Sequence, residues 1–185
     1  MLTIVLAALL SGLPFSGQTG APPRKTMTAV PAGGPIRVDG VLEEPAWKTP
    51  GRSDFTQTDP LDGRPPTEKT TVWVAFDQDN VYVAARLADS RPDLVVGRLG
   101  RRDEYVDSDW FFVALDPYLD RRSGFFFGIN PSGSILDGTL SNDETDDDTW
   151  DGIWESAARI AGAYVYAHGL DSTEVSFYAF IKSGT

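Results

Sequence analysis

The sequence predicts an all-β domain, a two-sheet antiparallel β-sandwich of immunoglobulin-like or jelly-roll-like type, with a flexible N-terminal leader. From residue 70 onward, apolar side chains alternate with period two or form short aromatic runs, without a long stripe at helical spacing. Clusters of turn-forming residues separate these runs. A content of 41% apolar and 11% aromatic residues in 185 positions is sufficient for the core of one domain.

The β-rich runs form two candidate hairpins. Residues 70–76 (TTVWVAF) and 81–89 (VYVAARLAD) flank a polar four-residue connection. Residues 109–116 (DWFFVALD) and 123–130 (SGFFFGIN) flank the turn sequence PYLDRRS, and 133–138 (GSILDG) continues the second pair. We expect these runs to be neighbouring antiparallel strands.

The strand at 110–115 carries large apolar groups on both faces. Trp110, Phe112 and Ala114 point one way, and the residues between them point the other. A strand with one solvent-exposed face needs large apolar side chains only on its other face. Two explanations stay open. The second row is either an aromatic platform that stacks on a sugar or another flat ligand, or the covered face of a central strand, under an N-terminal lid carrying Trp47 or under a further domain.

Residues 36–47 (IRVDGVLEEPAW) predict such a lid. A short alternating stretch leads into the turn signal Asp39-Gly40, and Pro45 opens one helical turn. We expect Trp47 to tie this segment to a core.

Residues 1–20 resemble a secretory signal peptide. An apolar run over residues 2–10 breaks at Ser11-Gly12 and passes into small residues, and it is too short to span a bilayer. Residues 21–35 form a Pro- and Gly-rich linker, and residues 36–185 the predicted sandwich. The expected location is therefore secreted or periplasmic.

Charge and missing residue types argue against several function classes. Sixteen basic and 27 acidic side chains give a net charge of −11, which argues against nucleic acid and anionic membranes as partners. There is no Cys for disulfides, zinc or thiol chemistry. His168, the single histidine, has no partner pattern for a triad or a multi-His metal site. The spacing identifies no pair of facing carboxylates such as a glycoside hydrolase needs, so we expect no catalytic residues.

Loop aspartates are candidate calcium ligands. Asp109 precedes the strand at 110–115 and Asp116 follows it, each with other oxygen ligands two to four positions away. A further acidic run, 141–148 (SNDETDDD), is expected to be a solvated loop. Calcium takes six to eight oxygen ligands, and carboxylates on loops supply them. Ordinary turn capping is the alternative role for these aspartates.

Trp150 and Trp154 are a pair of interest because residues four apart share one face of a strand. Two indoles on one face can grip a sugar ring by stacking on its C–H surface. Alternatively, both are core residues that enter a sheet edge.

Four blocks, taken in order, resemble the family 9 carbohydrate-binding module. They are IRVDGVLEEPAW (36–47), the stretch from FTQTDP to LADSRP (55–92), RRDEYVDSDWFFVALDPYLDRRSGFFFGINPSG (101–133) and WDGIWESAARI (150–160). They are most similar to the variant at the N-terminus of exported bacterial proteins whose remainder looks like an outer-membrane β-barrel.

The resemblance implies an antiparallel sandwich that binds a polysaccharide or oligosaccharide, contains calcium and often belongs to a larger glycan-degrading protein. The variant further implies a C-terminal β-barrel domain absent from this chain, and with it an outer-membrane-associated location. In the alternative function, the sandwich is the N-terminal periplasmic or surface domain of such a protein and binds no sugar.

The chain departs from the family at the sugar site. The best-known members grip a sugar end between two Trp residues, and in place of the first this chain has residues 101–105 (RRDEY), with Phe112 where a polar Glu is expected. The implied ligand-binding residues are Tyr105 as a stacking ring, Arg101 and Arg102 as donors, and Trp150 or Trp154 as the opposite wall. Forked Arg donors favour an acidic polysaccharide. The tail after residue 160 also departs from the family, so we expect a diverged or truncated last strand.

Overall fold

A computed structural model describes residues 25–142, 144–161 and 173–182. Within these ranges the chain forms nine strands and two 3-10 turns, Pro45–Lys48 and Pro92–Leu94. The strands are β1 Val30–Pro31, β2 Thr70–Phe76, β3 Asn80–Asp89, β4 Phe111–Leu115, β5 Ser123–Ile129, β6 Ile135–Ser141, β7 Glu144–Asp147, β8 Trp154–Ala161 and β9 Thr173–Lys182. The signal-peptide-like segment 1–20, the first linker residues and His168 lie outside the described residues.

The strands form the predicted all-β sandwich. One sheet has the order β1-β2-β3-β9-β8 and the other the order β4-β5-β6-β7. Neighbouring strands are antiparallel except β1 and β2, which are parallel. Both predicted hairpins are confirmed as β2–β3 and β4–β5, and β6 continues the second pair. Strand β9, which lies in the divergent tail, pairs with β3 and β8 inside the five-stranded sheet.

The acidic stretch expected to be a loop contains β7. Its backbone pairs with β6 through Thr139↔Asp147, with a register shift before the next pair. Backbone pairing does not require apolar side chains, and charged residues on an edge strand discourage pairing with another molecule. The prediction of a loop, which rested on composition alone, is therefore wrong for Glu144–Asp147.

The main core lies between the two sheets. The inward residues of β2–β3 are Val72, Val83 and Ala85, those of β4–β5 are Phe111, Phe127 and Ile129, and β8 adds Trp154. Burying a large apolar side chain stabilises the fold by about 1.5–3 kcal/mol. Because Phe111 points inward on β4, the alternate residue Phe112 points to the outer face of the four-stranded sheet.

The lid covers the outer face of the five-stranded sheet. Its apolar residues Leu42, Ala46 and Trp47 pack on Ala75, Tyr82 and Ala84 of β2–β3. Trp47 is 4% exposed, so the expectation that it ties the segment to a core is confirmed. The small side chains of Ala75 and Ala84 leave room for packing on this face. The lid therefore does not cover β4, which is an edge strand and not a central one.

Gly40 allows the lid to turn closely past the sheet. It has φ 79°, and a Cβ at this position would lie 2.9 Å from Cβ of Arg159 on β8. A larger residue would meet both the backbone strain and the contact.

Among the described residues, no helix has the length and apolarity needed to span a membrane.

Candidate functional site

A row of aromatic rings lies on the outer face of the four-stranded sheet. Tyr105 stacks on Trp110 with ring centroids 5.8 Å apart and planes at 16°, and Trp110 stacks on Phe112 at 5.7 Å and 25°. Phe112 meets Phe126 of β5 at 6.3 Å in a tilted arrangement. Nearly parallel rings at such distances are offset stacks, which are favourable for aromatic pairs. We call these four residues the aromatic row.

Two glycines make room for the aromatic row. Gly128 is the register partner of Phe112, and Gly138 is the register partner of Phe126. A Cβ at Gly138 would lie 2.6 Å from the Phe126 ring, and a Cβ at Gly128 would also overlap the Phe112 ring. Each phenylalanine therefore lies across the backbone of its neighbour, and a side chain at either glycine would displace a ring.

Exposure distinguishes the rings of the row. Trp110, which contacts both Tyr105 and Phe112, is 5% exposed, whereas Tyr105 at the end of the row is 61% exposed. Tyr105 is thus supported by Trp110 and open to solvent. A ring that is already held in place loses little conformational freedom when a ligand stacks on it.

Tyr105 belongs to a tight loop, residues 100–106, which we call the tyrosine loop. The two ends of the loop lie close together. A Cβ added to Gly100 would lie only 2.8 Å from Val106 Cγ1. The Glu104 N–H donates to Arg101 O at 3.1 Å, and Asp103 has φ 61°. The loop is anchored to β6, since the Asp103 N–H donates to Ile135 O at 3.0 Å.

Arg102 of the tyrosine loop lies among three carboxylates. Its Nη2 is 2.6 Å from Asp137 Oδ1, and its Nε is 2.8 Å from Asp151 Oδ1 and 3.3 Å from Asp103 Oδ2. The Asp137 side chain on β6 is fully buried. A buried carboxylate is tolerated only with good partners, and Arg102 supplies the opposite charge.

Backbone groups complete the coordination of Asp137. Its Oδ2 accepts a hydrogen bond from the Gly152 N–H, and its own N–H donates to Asp103 Oδ1 at 3.2 Å. Arg102 Nη2 also donates to Gly152 O at 3.3 Å. Residues 150–152, which we call the tryptophan loop, are therefore bonded to both Arg102 and Asp137.

The cluster raises the pKa of Asp103. Partial burial raises the pKa of its carboxyl above the ordinary value of 3.8, and the Asp137 and Asp151 carboxylates act in the same direction. The hydrogen bond from the Asp137 N–H acts against them and lowers the pKa. Three carboxylates around one guanidinium leave an excess of negative charge.

Among the residues that the structure describes, the same three carboxylates form a group that could hold a metal ion. One oxygen each of Asp103, Asp137 and Asp151 lies within 4.8 Å of the others. The donor chemistry suits a hard cation, but Arg102 already supplies a positive charge to all three. Sequence reasoning missed the cluster because Asp137 is 34 positions from Asp103 and its partner Gly152 is 15 positions further on.

Asp109 and Asp116, the expected calcium ligands, lie at opposite ends of β4. They are seven residues apart, which corresponds to roughly 20 Å at about 3.3 Å per residue, so one ion cannot bind both. Asp109 Oδ2 accepts from the Val96 N–H at 2.9 Å. Asp116 accepts from the N–H groups of Tyr118 and Arg121 at 3.1 and 2.8 Å. Each carboxylate caps backbone N–H groups of a loop.

The two tryptophans occupy different environments. Trp154 is 8% exposed, belongs to the inter-sheet core and meets Phe127 at 5.3 Å and 72°. Trp150 is partly buried and packs on Phe125 at 4.8 Å. Its ring also lies 3.0 Å from the position that a Cβ of Gly152 would take. Trp154 is therefore a core residue, and Trp150 lies at the margin of the core.

The two arginines also differ. Arg102 is bound by the acidic cluster, whereas the Arg101 side chain is exposed and its backbone N–H donates to Glu104 Oε2 at 3.3 Å. The structure thus joins Arg102 to the tryptophan loop, and it places Arg101 and Tyr105 on one exposed loop.

Comparison with known proteins rests on structure. No protein-family model matches the sequence, and no curated protein matches it. Solved structures that share the fold include a family 9 carbohydrate-binding module from Caldicellulosiruptor kristjanssonii in complex with glucose, with a TM-score of 0.54, 13% identity and coverage of 86% of this chain and 70% of that one. The fold is that of the family 9 module.

A second structure with this fold is that of a candidate carbohydrate-binding protein from Bacteroides uniformis. It has a TM-score of 0.50 and 12% identity, over 72% of this chain and 58% of that one. The chain thus spans little more than half the length of the Bacteroides protein. These similarities confirm the sandwich fold that the motif resemblance implied.

Proposed function

We propose that this domain is a non-catalytic carbohydrate-binding module for a polysaccharide or oligosaccharide. The observation that carries the proposal is Tyr105, a ring that stacks on Trp110 and is 61% exposed. Aromatic faces stack on the C–H surface of sugars. The fold supports the same function, since a protein that shares it was solved with glucose bound.

Arg101 would provide the polar contacts beside this ring. It is exposed on the same loop as Tyr105, and a guanidinium binds a carboxylate through forked donors. We therefore propose an acidic polysaccharide whose uronic-acid carboxylate meets Arg101. With a net charge of −11, the chain would repel such a polymer at long range. Affinity would then depend on short-range contacts and would rise when salt screens the repulsion.

The acidic cluster supports the non-catalytic part of the proposal. Glycoside hydrolysis needs one carboxyl group as acid and another as base or nucleophile, on either side of the scissile bond. Here the carboxylates of Asp137 and Asp151 are bonded to Arg102, and Asp137 is fully buried.

A glycan array followed by calorimetry tests the proposal. We expect binding to uronic-acid polymers without release of reducing sugar. Tyr105→Ala should lose about 1–3 kcal/mol of binding, the value of burying an aromatic face. Tyr118→Ala is the matched control, because Tyr118 is 69% exposed and lies in the loop after β4. Equal binding by both variants would disprove the Tyr105 assignment, and cleavage by the isolated domain would disprove the non-catalytic one.

A second candidate function is docking to another domain of a longer exported protein, such as an outer-membrane β-barrel. The observation that favours it is the outer face of the four-stranded sheet, where the lid does not reach and Phe112 and Phe126 are only partly buried. We further propose export, on the basis of the signal-peptide-like residues 1–20. Fractionation of cells that express the natural gene would test the location, and an array without any binding glycan would favour docking.

A further inference from the structure

We propose that Arg102 is a positioning residue, which fixes the tryptophan loop against the tyrosine loop, and not a contact to the ligand. The proposal rests on the proposed function in one respect, because it takes the tyrosine loop, which carries Tyr105, as the ligand-binding surface. The bonding of Arg102 itself is independent of any ligand.

The contacts of Arg102 lead from one loop to the other. Arg102 belongs to the tyrosine loop, yet its Nε bonds Asp151 at 2.8 Å and its Nη2 bonds Gly152 O at 3.3 Å. Nη2 also bonds the buried Asp137 at 2.6 Å. Two of these three acceptors belong to the tryptophan loop. Charge-assisted bonds of this length are stronger than neutral ones and hold their groups in a fixed direction.

Asp137 reinforces the same connection from β6. Its second oxygen accepts from the Gly152 N–H, so both the N–H and the C=O of Gly152 are held by the Arg102–Asp137 pair. The Trp150 indole lies directly against this glycine, 3.0 Å from its missing Cβ. A shift of Gly152 would therefore move the surface on which the indole packs.

The donors of Arg102 explain why it is not expected to bind sugar. Nε and Nη2 are used by three protein acceptors, and the side chain is 38% exposed. Arg101 next to it is exposed and is available for a ligand. A lysine at position 102 would keep the positive charge beside Asp137, but its single ammonium cannot reproduce the planar fork that reaches Asp151 and Gly152 as well.

Arg102→Lys, Tyr105→Ala and the double variant test this inference, with Arg98→Lys as control. Arg98 is an exposed arginine with a 3.6 Å ion pair to Asp107. In Arg102→Lys we expect the Gly152 amide to exchange with solvent at least tenfold faster, while amides of β3 and β5 keep their protection. Unchanged exchange at Gly152 would overturn the inference, whether or not the protein binds sugar.

Binding provides the second readout, with trigalacturonic acid and cellotriose as probes. If Arg102 acts by holding the tyrosine loop that carries Tyr105, Arg102→Lys weakens the binding of both probes by a similar factor, about fivefold or more, and has no further effect on cellotriose binding in the Tyr105→Ala background. A loss confined to trigalacturonic acid, or a loss of cellotriose binding that adds fully to that of Tyr105→Ala, would mean direct contact with the ligand and would overturn the inference.

Asp151→Asn gives a second route should Arg102→Lys unfold. It weakens the bond between Arg102 and Asp151 of the tryptophan loop and leaves the Arg102–Asp137 pair in place. Faster exchange at Gly152 is again expected, and unchanged exchange contradicts the inference. If the wild type binds neither probe, the proposed function fails on its own, and the exchange measurements still decide the role of Arg102.

Discussion

Removal of the positive charge of Arg102 should strongly destabilise the domain. Arg102→Met keeps most of the side-chain length but leaves the carboxylate of Asp137 fully buried without its counter-charge. Breaking a buried ion pair from one side costs about 3–5 kcal/mol. Because Arg102 is itself 38% exposed, water can partly replace it, and we expect a loss near the lower end, about 3 kcal/mol. In a domain of this size that corresponds to a decrease of roughly 6–12 °C in melting temperature.

Urea unfolding at neutral pH measures this loss. Arg98→Met is the control, because exposed ion pairs such as Arg98–Asp107 contribute only about 0–1 kcal/mol. Adding Asp137→Asn to Arg102→Met removes the unpaired charge and should recover part of the stability. A change below about 0.5 kcal/mol for Arg102→Met, or no recovery in the double variant, would refute the buried-charge explanation.

Three further predictions concern the core, the acidic cluster and calcium. Trp154→Ala should cost about 3–5 kcal/mol of stability, as for other buried aromatic residues, and a folded variant with wild-type stability in urea would show that Trp154 is not a core residue. Because the pKa of Asp103 is raised in the folded state, its contribution to stability should fall as pH rises above 3.8. The free energy of unfolding of Asp103→Asn should therefore rise relative to that of the wild type as the pH increases through that range. A difference between the two that does not change with pH would contradict the prediction. Calcium at the loops around Asp109 or Asp116 should raise stability by about 2.7 kcal/mol at a hundredfold excess over its Kd, so an unchanged melting temperature in EGTA would exclude it.

Local pattern was sufficient to predict the strands of both hairpins. In β4 and β5 the alternation of side chains fixes which residues point inward, and the turn residues between the strands fix their antiparallel pairing. Phe111 and Phe127 accordingly lie in the core, as alternation requires. Strand β7 is the exception, because the period-two pattern of apolar residues that marks the other strands is missing from Glu144–Asp147, which lies at the edge of its sheet.

The position of the lid could not be predicted in the same way. Both sheets have apolar outer rows, so the sequence of residues 36–47 did not tell which one it would cover. The small residues Ala75 and Ala84 decide the question, because they accommodate packing by the lid that the larger rings of the aromatic row would prevent. Such a choice depends on the shapes of two surfaces that are distant in sequence.

The two adjacent arginines illustrate why the site needed a structure. Arg101 and Arg102 have the same chemistry, and sequence reasoning gave them one role as donors to a ligand. The turn that contains Asp103 at φ 61° directs the second arginine to Asp137, whose burial makes a counter-charge necessary. Once Arg102 is used in this way, Arg101 is the exposed arginine of the tyrosine loop that remains for a ligand beside the exposed ring of Tyr105. Specificity for acidic sugars should therefore depend on Arg101 alone, and the affinity for every sugar should depend on whether Arg102 holds the two loops together.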